Sequence, residues 1–134
     1  MPLHHLRINV TDLHRSKTFY EHILLWLGFH ELEPHLALDG RTERYRFTKE
    51  GFIFLLSKSA STLEYDRNSV GLHHLAFAVP SRAHVDAFYK EVLLNLQDVI
   101  IENPPIECPE YRPGYYATFF FDPDGIKLEV TFSP

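Results

Sequence analysis

Leu3-His4-His5-Leu6 recurs sixty-nine residues later as Leu72-His73-His74-Leu75. At the same offset, without a gap, five further apolar or aromatic positions match: Val10 with Val79, Phe19-Tyr20 with Phe88-Tyr89, Ile23 with Val92, and Leu24 with Leu93. Matches in one register over this length indicate an internal duplication, which fixes the fold more firmly than any single element does.

Each half of the chain begins with a strand and continues with a helix. Large apolar residues alternate with polar residues over 5–10, and with a histidine and two alanines over 74–79, which is the period of a half-buried strand. Helical spacing follows over 12–27 and 81–96, with Thr11-Asp12 and Ser81 as N-caps. Three further strands complete each half, near 29–38, 43–48 and 51–57 in the first and near 98–102, 115–121 and 125–132 in the second.

Both halves therefore follow a βαβββ pattern, and the predicted class is α+β. We expect one domain over 1–134, with module one at 3–57, a linker at 58–70 and module two at 71–133. Residues 103–114 carry four prolines and are predicted to form an irregular loop of a length suited to a lid. The segment Asp122-Pro123-Asp124-Gly125 predicts a tight turn between the last two strands.

The composition indicates which kinds of partner the protein is expected to bind. The 18 acidic and 13 basic residues give a formal net charge of −5, and the basic residues are scattered, which argues against nucleic acid. No apolar run is long enough to span a membrane, so no membrane is expected as a partner. The start lacks the pattern of a signal peptide and Cys108 is the only cysteine, so we expect a reducing, cytoplasmic setting and a small-molecule substrate.

Strand alternation places three potential metal ligands on strand faces that point away from the helices. If the apolar residues of each strand pack on the helices, then His5, His74 and Glu129 point the other way. Two imidazoles and one carboxylate can hold a divalent metal and leave coordination positions open for substrate or water. Each residue has a simpler interpretation, an edge histidine or a solvent-facing glutamate. His4 and His73 repeat equally well, and only strand parity favours His5 and His74.

At this point the sequence resembles the vicinal oxygen chelate superfamily, which includes glyoxalases, extradiol dioxygenases and bleomycin-binding proteins. The resemblance rests on the segment from His5 through Phe19-Tyr20, on His74-Leu-Ala-Phe-Ala-Val, and on Asp122-Pro-Asp-Gly-Ile-Lys-Leu-Glu129. It implies paired βαβββ modules that form a partial β-barrel. It also implies a divalent metal held by His5, His74 and Glu129, with Glu129 catalytic.

The chain departs from the better-known members of this superfamily. Glyoxalase I enzymes carry a fourth ligand, a glutamate, on the last strand of the first module, where this chain has Leu55. Extradiol dioxygenases usually carry a tyrosine about ten residues before the glutamate, where this chain has Phe119. Bleomycin-binding members lack the metal ligands altogether. A glyoxalase-like branch fits best, and it implies no particular substrate.

The sequence thus predicts a metal-dependent lyase or isomerase in which zinc, nickel, manganese or iron binds vicinal oxygens and stabilises an enolate or alkoxide. Two alternatives stay open: a non-haem Fe(II) extradiol-type dioxygenase, and a non-catalytic small-molecule (drug) binding protein. We also expect a homodimer, with the aromatic strand 115–121 as a source of apolar surface. The candidate substrate contacts are Arg7, Asn9, Arg46, Tyr115 and Lys127, and Glu107 and Tyr111 could enter the site from the proline-rich loop.

Overall fold

The computed structural model describes residues 2–36 and 43–134, without the side chains of 34–36, and divides the chain into two compact units, Met1–Leu63 and Glu64–Pro134. The first unit contains β1 (His5–Val10), α1 (Leu13–Trp26), β2 (His30–Leu36), β3 (Glu43–Lys49) and β4 (Phe52–Lys58). The second contains β5 (His74–Ala78), α2 (Arg82–Glu91), a 3-10 turn (Leu93–Asn95), β6 (Ile100–Glu107), β7 (Tyr116–Phe121) and β8 (Lys127–Phe132). The last two residues of the strand predicted near 29–38, residues 37 and 38, lie outside the described residues.

The two units repeat one topology. The strand order is β1-β4-β3-β2 in one sheet and β5-β8-β7-β6 in the other, and each first strand runs parallel to its neighbour. The remaining pairs are antiparallel in both sheets. The α+β class and the paired βαβββ modules predicted from the repeat are confirmed.

Each helix packs on one face of its own sheet through aromatic contacts. In the first unit Tyr20 of α1 lies 5.2 Å from Phe54 of β4, and in the second Phe88 of α2 lies 5.6 Å from Phe120 of β7, measured between ring centroids. All four side chains are buried. We call the opposite side of each sheet its helix-free face.

Local signals place the helix starts and the last turn as predicted. The Asp12 and Ser81 side chains accept hydrogen bonds from the backbone N–H groups of Arg15 and His84, which caps both helices. At the turn before β8, the Gly125 N–H donates to the Asp122 carbonyl at 3.0 Å, with Gly125 at a φ of +87°. Glycine adopts that angle without the strain that a Cβ would cause.

The predicted irregular loop at 103–114 is wrong over its first part, because β6 continues through Pro104 and Pro105 to Glu107. Proline lacks the N–H that a central strand needs, but it is tolerated at sheet edges and bulges. β6 is the edge strand of its sheet, and its pairing with β7 shifts register on both sides of Asn103. An edge position with two irregularities accommodates both prolines.

The second helix is shorter than its apolar spacing predicts. α2 ends at Glu91 rather than at residue 96, and the chain continues into the 3-10 turn. The Asn95 side chain donates hydrogen bonds to the carbonyls of Lys90 and Glu91 at 3.3 and 3.0 Å. Those bonds satisfy carbonyls that a continuing helix would otherwise pair, so a side-chain cap replaces the last predicted turn.

Candidate metal centre

Glu129 is a buried carboxylate in the middle of the second sheet. β8 lies between β5 and β7, and Glu129 pairs in register with Ala76 on one side and Phe119 on the other. Its side chain is only 2% exposed. The solvent-facing interpretation of this glutamate is therefore wrong, and an ionised carboxylate at this depth needs compensating partners.

One partner of Glu129 is Tyr115, whose hydroxyl donates a hydrogen bond to Oε1. Burial and this hydrogen bond raise the pKa of Tyr115 to about 12, so the phenol stays protonated at neutral pH. Cys108, Ala117 and Phe119 form an apolar cluster against which Tyr115 packs. Burial, reinforced by nearby carboxylates, also raises the pKa of the Cys108 thiol, which favours its neutral form.

The second partner of Glu129 is His74. Its Nε2 lies 3.6 Å from Glu129 Oε2, and its side chain is 43% exposed. That separation is too long for a hydrogen bond. Two ligands at 2.0–2.2 Å from a tetrahedral zinc lie about 3.4 Å apart, so the pair has the spacing of two ligands that share one cation.

The doubled histidine of each unit has a structural explanation. His73 Nδ1 lies 2.8 Å from His74 Nδ1, and His4 Nδ1 lies 2.8 Å from His5 Nδ1. In both pairs the second histidine keeps Nε2 available while its other ring nitrogen is held. Metal-binding histidines are commonly oriented in this way by a hydrogen bond to the non-ligating nitrogen.

The structure brings together His74 and Glu129 but does not assemble three ligands. Within residues 2–36 and 43–134, no group of three or more histidine, cysteine or acidic side chains is placed to hold a metal ion. His5 lies at the start of β1 in the first unit, on the helix-free face with Arg7 and Asn9, as parity predicts. The observed pair supplies one imidazole and one carboxylate of the predicted set.

Lys127, a predicted substrate contact, lies one position along the same face of β8 but already has partners. Its Nζ lies 2.8 Å from Glu102 Oε2 and 4.9 Å from the centre of the Phe119 ring. The ion pair neutralises its charge, so it is a weaker candidate for anion binding than the sequence suggests.

The proline-rich segment contributes unequally to the centre. Tyr111 packs edge-on against Tyr115, with ring centroids 5.4 Å apart. Glu107 instead forms an ion pair with Arg82, whose guanidinium lies over the ring of Tyr116. Tyr111 therefore supports the tyrosine at Glu129, whereas Glu107 is engaged near the start of α2.

The first unit has no carboxylate at the position equivalent to Glu129. Leu55 pairs with Arg7 of β1 and Arg46 of β3, just as Glu129 pairs with Ala76 and Phe119. The register therefore aligns Leu55 with Glu129, the correspondence that the sequence suggested from the two turn glycines. Leu55 is 8% exposed and cannot bind a metal.

Arg7 and Asn9 are linked on this first face through a serine. Arg7 Nε donates to Ser57 Oγ at 2.8 Å, and Ser57 Oγ donates to Asn9 Oδ1 at 3.0 Å. Arg46 Nη2 donates to the Glu33 carbonyl at 3.1 Å. These three predicted contacts share one helix-free face.

Sequence reasoning missed several residues of the two faces. Arg44 lies two positions before Arg46 on β3, so strand parity alone could have placed it on the face with Arg7. The contacts of His4 with His5 and of His73 with His74 could not be found in this way, since adjacent residues point to opposite sides of a regular strand. Ser57 is identified only through the strand register, which pairs it with Asn9, and Cys108 only through its packing against Ala117 and Phe119.

Comparison with known proteins gives a consistent family. The family model of the Glyoxalase/Bleomycin resistance protein/Dioxygenase superfamily matches residues 2–130. Two Bacillus subtilis proteins, YwkD and YqjT, are 31% and 29% identical; the matches cover 96% of this chain in each case, and 94% and 96% of those proteins. A Bacillus halodurans crystal structure described as a glyoxalase candidate has a TM-score of 0.77 at 27% identity, with 98% of this chain and 96% of that chain covered. The chain belongs to the Glyoxalase/Bleomycin resistance protein/Dioxygenase superfamily.

Proposed function

We propose that the protein is a divalent-metal-dependent, glyoxalase-like enzyme of the lyase or isomerase type that acts on a small oxygenated substrate. His74 and Glu129 hold the metal, with His5 as the third protein ligand. The observation that carries the proposal is the buried Glu129 carboxylate with His74 Nε2 3.6 Å away. A deeply buried anion beside an available imidazole nitrogen is a favourable place for a cation.

The residues around the pair prepare it for that role. Tyr115 occupies Oε1 of Glu129 with a hydrogen bond, which leaves Oε2 directed towards His74. For His74 Nε2 to act as a ligand it must be unprotonated. In that tautomer Nδ1 carries the proton, and its N–H donates a hydrogen bond to His73 Nδ1.

A bound divalent ion would supply Lewis-acid stabilisation of negative charge on substrate oxygens. The chain's own contribution is to place apolar side chains beside the carboxylate and to position the substrate. Phe119, Ala117 and Cys108 form the apolar surroundings of Tyr115 next to the carboxylate. Tyr115 is the nearest hydroxyl to that site, and its raised pKa keeps it a hydrogen-bond donor at neutral pH.

Metal analysis of protein purified without added metal tests the proposal. We expect about one divalent ion per chain in the wild type, and loss of that ion in His74→Ala and His5→Ala. His22→Ala, on the exposed side of α1, is the matched control and should keep the metal. Retention of a full equivalent by His74→Ala would overturn the assignment.

The extradiol-type dioxygenase is the second candidate, and one observation favours it. This chain has Phe119 at the position where those enzymes carry a tyrosine. Tyr115, which precedes β7, nevertheless donates a hydrogen bond from its hydroxyl to Glu129, so a tyrosine is present at the carboxylate. Oxygen uptake by the Fe(II)-loaded protein with catechols would support the dioxygenase. Turnover of a hydroxy- or oxo-substrate without oxygen uptake would support the lyase or isomerase. Metal-dependent ligand binding without product would instead indicate a binding protein.

We also propose a homodimer in a cytoplasmic setting, although the aromatic strand does not supply its contact surface. The central residues of the aromatic strand, Ala117 to Phe120, are buried, so this strand does not offer the apolar surface expected of it. Among the described residues no helix is long and apolar enough to cross a membrane. Sedimentation at micromolar concentration tests the dimer, and a monomer would contradict it.

A further inference from the structure

We propose that the helix-free face of the first sheet binds a doubly charged oxyanion of the phosphate or phosphonate type through Arg7, Arg44 and Arg46. We call these three residues the arginine face. The binding site is inferred from the first unit alone; its interpretation as the part of the enzyme that holds an anionic substrate rests on the proposed function.

Strand register brings the three arginines together. Arg7 and Arg46 flank Leu55 in one row across β1, β4 and β3. Arg44 pairs with Ser57 in the next row, beside Asn9. Adjacent strands lie about 4.8 Å apart, so the Cα atoms of Arg7 and Arg46 are roughly 10 Å apart, within converging reach of two long side chains.

Two acidic residues of the first sheet are engaged with other groups. Glu31 pairs with Lys17 of α1 at 3.4 Å, and Glu43 accepts a hydrogen bond from the buried Tyr45. Among the described residues, none of the three arginines forms an ion pair. Three positive charges without a carboxylate partner in the described part of the chain are notable, because the formal net charge is −5.

Two hydrogen-bond donors on this face lack acceptors among the residues that the structure describes. The Nε atoms of Arg44 and Arg46 are buried, and no described residue accepts a hydrogen bond from them. Buried donors are nearly always paired, because an unpaired one loses its hydration without compensation. An oxyanion with several acceptor oxygens would satisfy them.

Two of the guanidinium groups are held in advance. Arg7 is fixed through Nε by Ser57, which leaves its terminal nitrogens available. Arg46 is fixed through Nη2 by the Glu33 carbonyl, which leaves Nε and Nη1. Guanidinium groups bind phosphate oxygens in a forked geometry, and three positive charges match a dianion better than a single carboxylate.

Calorimetric titration of the full-length protein with inorganic phosphate tests the inference. We expect saturable binding in the wild type, at least about tenfold weaker binding in Arg44→Gln and Arg46→Gln, and partial retention in Arg46→Lys, which keeps the charge but loses the fork. Arg112→Gln is the matched control, since it removes the same charge from an exposed arginine of the second unit. Thermal unfolding of each variant checks that it is folded. Arg44→Gln removes an Nε that has no partner among the described residues, so it still tests the inference if Arg46→Gln fails to fold.

The titration is run with the metal present and after chelation. Phosphate binding that survives chelation and depends on Arg44 and Arg46 supports the arginine face, whatever becomes of the metal centre. Binding that disappears with the metal, an equal loss in Arg112→Gln, or no saturable binding would overturn it. Acetate binding as tight as phosphate would overturn the dianion class.

Discussion

The two sheets have the same strand topology, but the side chains on their helix-free faces differ in charge. In the second sheet a single buried carboxylate lies among apolar side chains, with a tyrosine and a histidine as its partners. In the first sheet the equivalent position is Leu55, and arginines flank it. The two units share their topology and the doubled histidine, whereas the central position is a buried glutamate in one sheet and a leucine flanked by arginines in the other.

Substitution of the first histidine in each pair tests whether the two units use their histidines in the same way. We expect His73→Ala to weaken metal binding by about 10–100-fold, since it removes the group that holds the His74 ring. His4→Ala should act in the same way through His5. Metal titration followed by calorimetry measures both, with His22→Ala as the control, and unchanged affinity in both variants would show that the pairing is incidental.

A carboxylate in the first sheet should not convert it into a copy of the second. In Leu55→Glu the new side chain would lie between Arg7 and Arg46 and pair with them. We expect phosphate affinity to fall by about tenfold or more and metal affinity to change by less than about threefold. The same calorimetric titrations measure both affinities.

The outcome of Leu55→Glu separates two views of the first sheet. A large gain in metal affinity would mean that position 55 acts as the missing fourth ligand, as in glyoxalase I enzymes. Unchanged phosphate binding would remove Leu55 and its neighbours from the anion site. Leu55→Gln, which has similar size and no charge, is the matched variant.

The two faces of β7 also carry different side chains, and the effect expected from this difference is smaller. Tyr116 points to the helix side, where its hydroxyl donates to Asp86 of α2 at 2.7 Å. That hydrogen bond, together with burial, raises the pKa of Tyr116 to about 12, against about 10 in an unfolded chain. The stabilisation is fully present below pH 10 and is lost as the pH rises from 10 to 12.

Tyr116→Phe should therefore lower the free energy of unfolding by about 1 kcal/mol at neutral pH. The difference between wild type and variant should shrink above pH 10. Urea unfolding from pH 7 to 11 measures it, and a difference that stays constant to pH 11 would mean that the hydrogen bond is not the cause.

Repetition and strand parity predicted most of the fold and the faces of the site. The repeat predicted both modules, and the alternation around His5, His74 and Glu129 placed their strands correctly. Burial was harder to foresee, since nothing in the segment around Glu129 indicates that both sides of β8 are covered. The strand through Pro104 and Pro105 could not be predicted because its edge position is a property of the whole sheet.

The histidine pairing and the reach of Tyr115 to Glu129 depend on side-chain geometry outside regular strand alternation. The sequence indicated Tyr115 as a candidate substrate contact, and the structure shows that its hydroxyl donates a hydrogen bond to Glu129. Arg44 was within reach of parity reasoning, but its significance depends on the absence of an ion pair among the described residues.

The central claim is that the second sheet binds a cation through Glu129 whereas the first does not bind one at Leu55. Titration of metal into chelated wild type, Glu129→Gln and Glu102→Gln tests it most directly, because both variants remove one negative charge from the second sheet and only one removes the proposed ligand. We predict that Glu129→Gln loses more than about 100-fold in affinity, beyond the usual cost of an outer-shell change. Glu102→Gln, which disturbs only the pair with Lys127, should bind as the wild type does. Equal affinity in wild type and Glu129→Gln would contradict the claim.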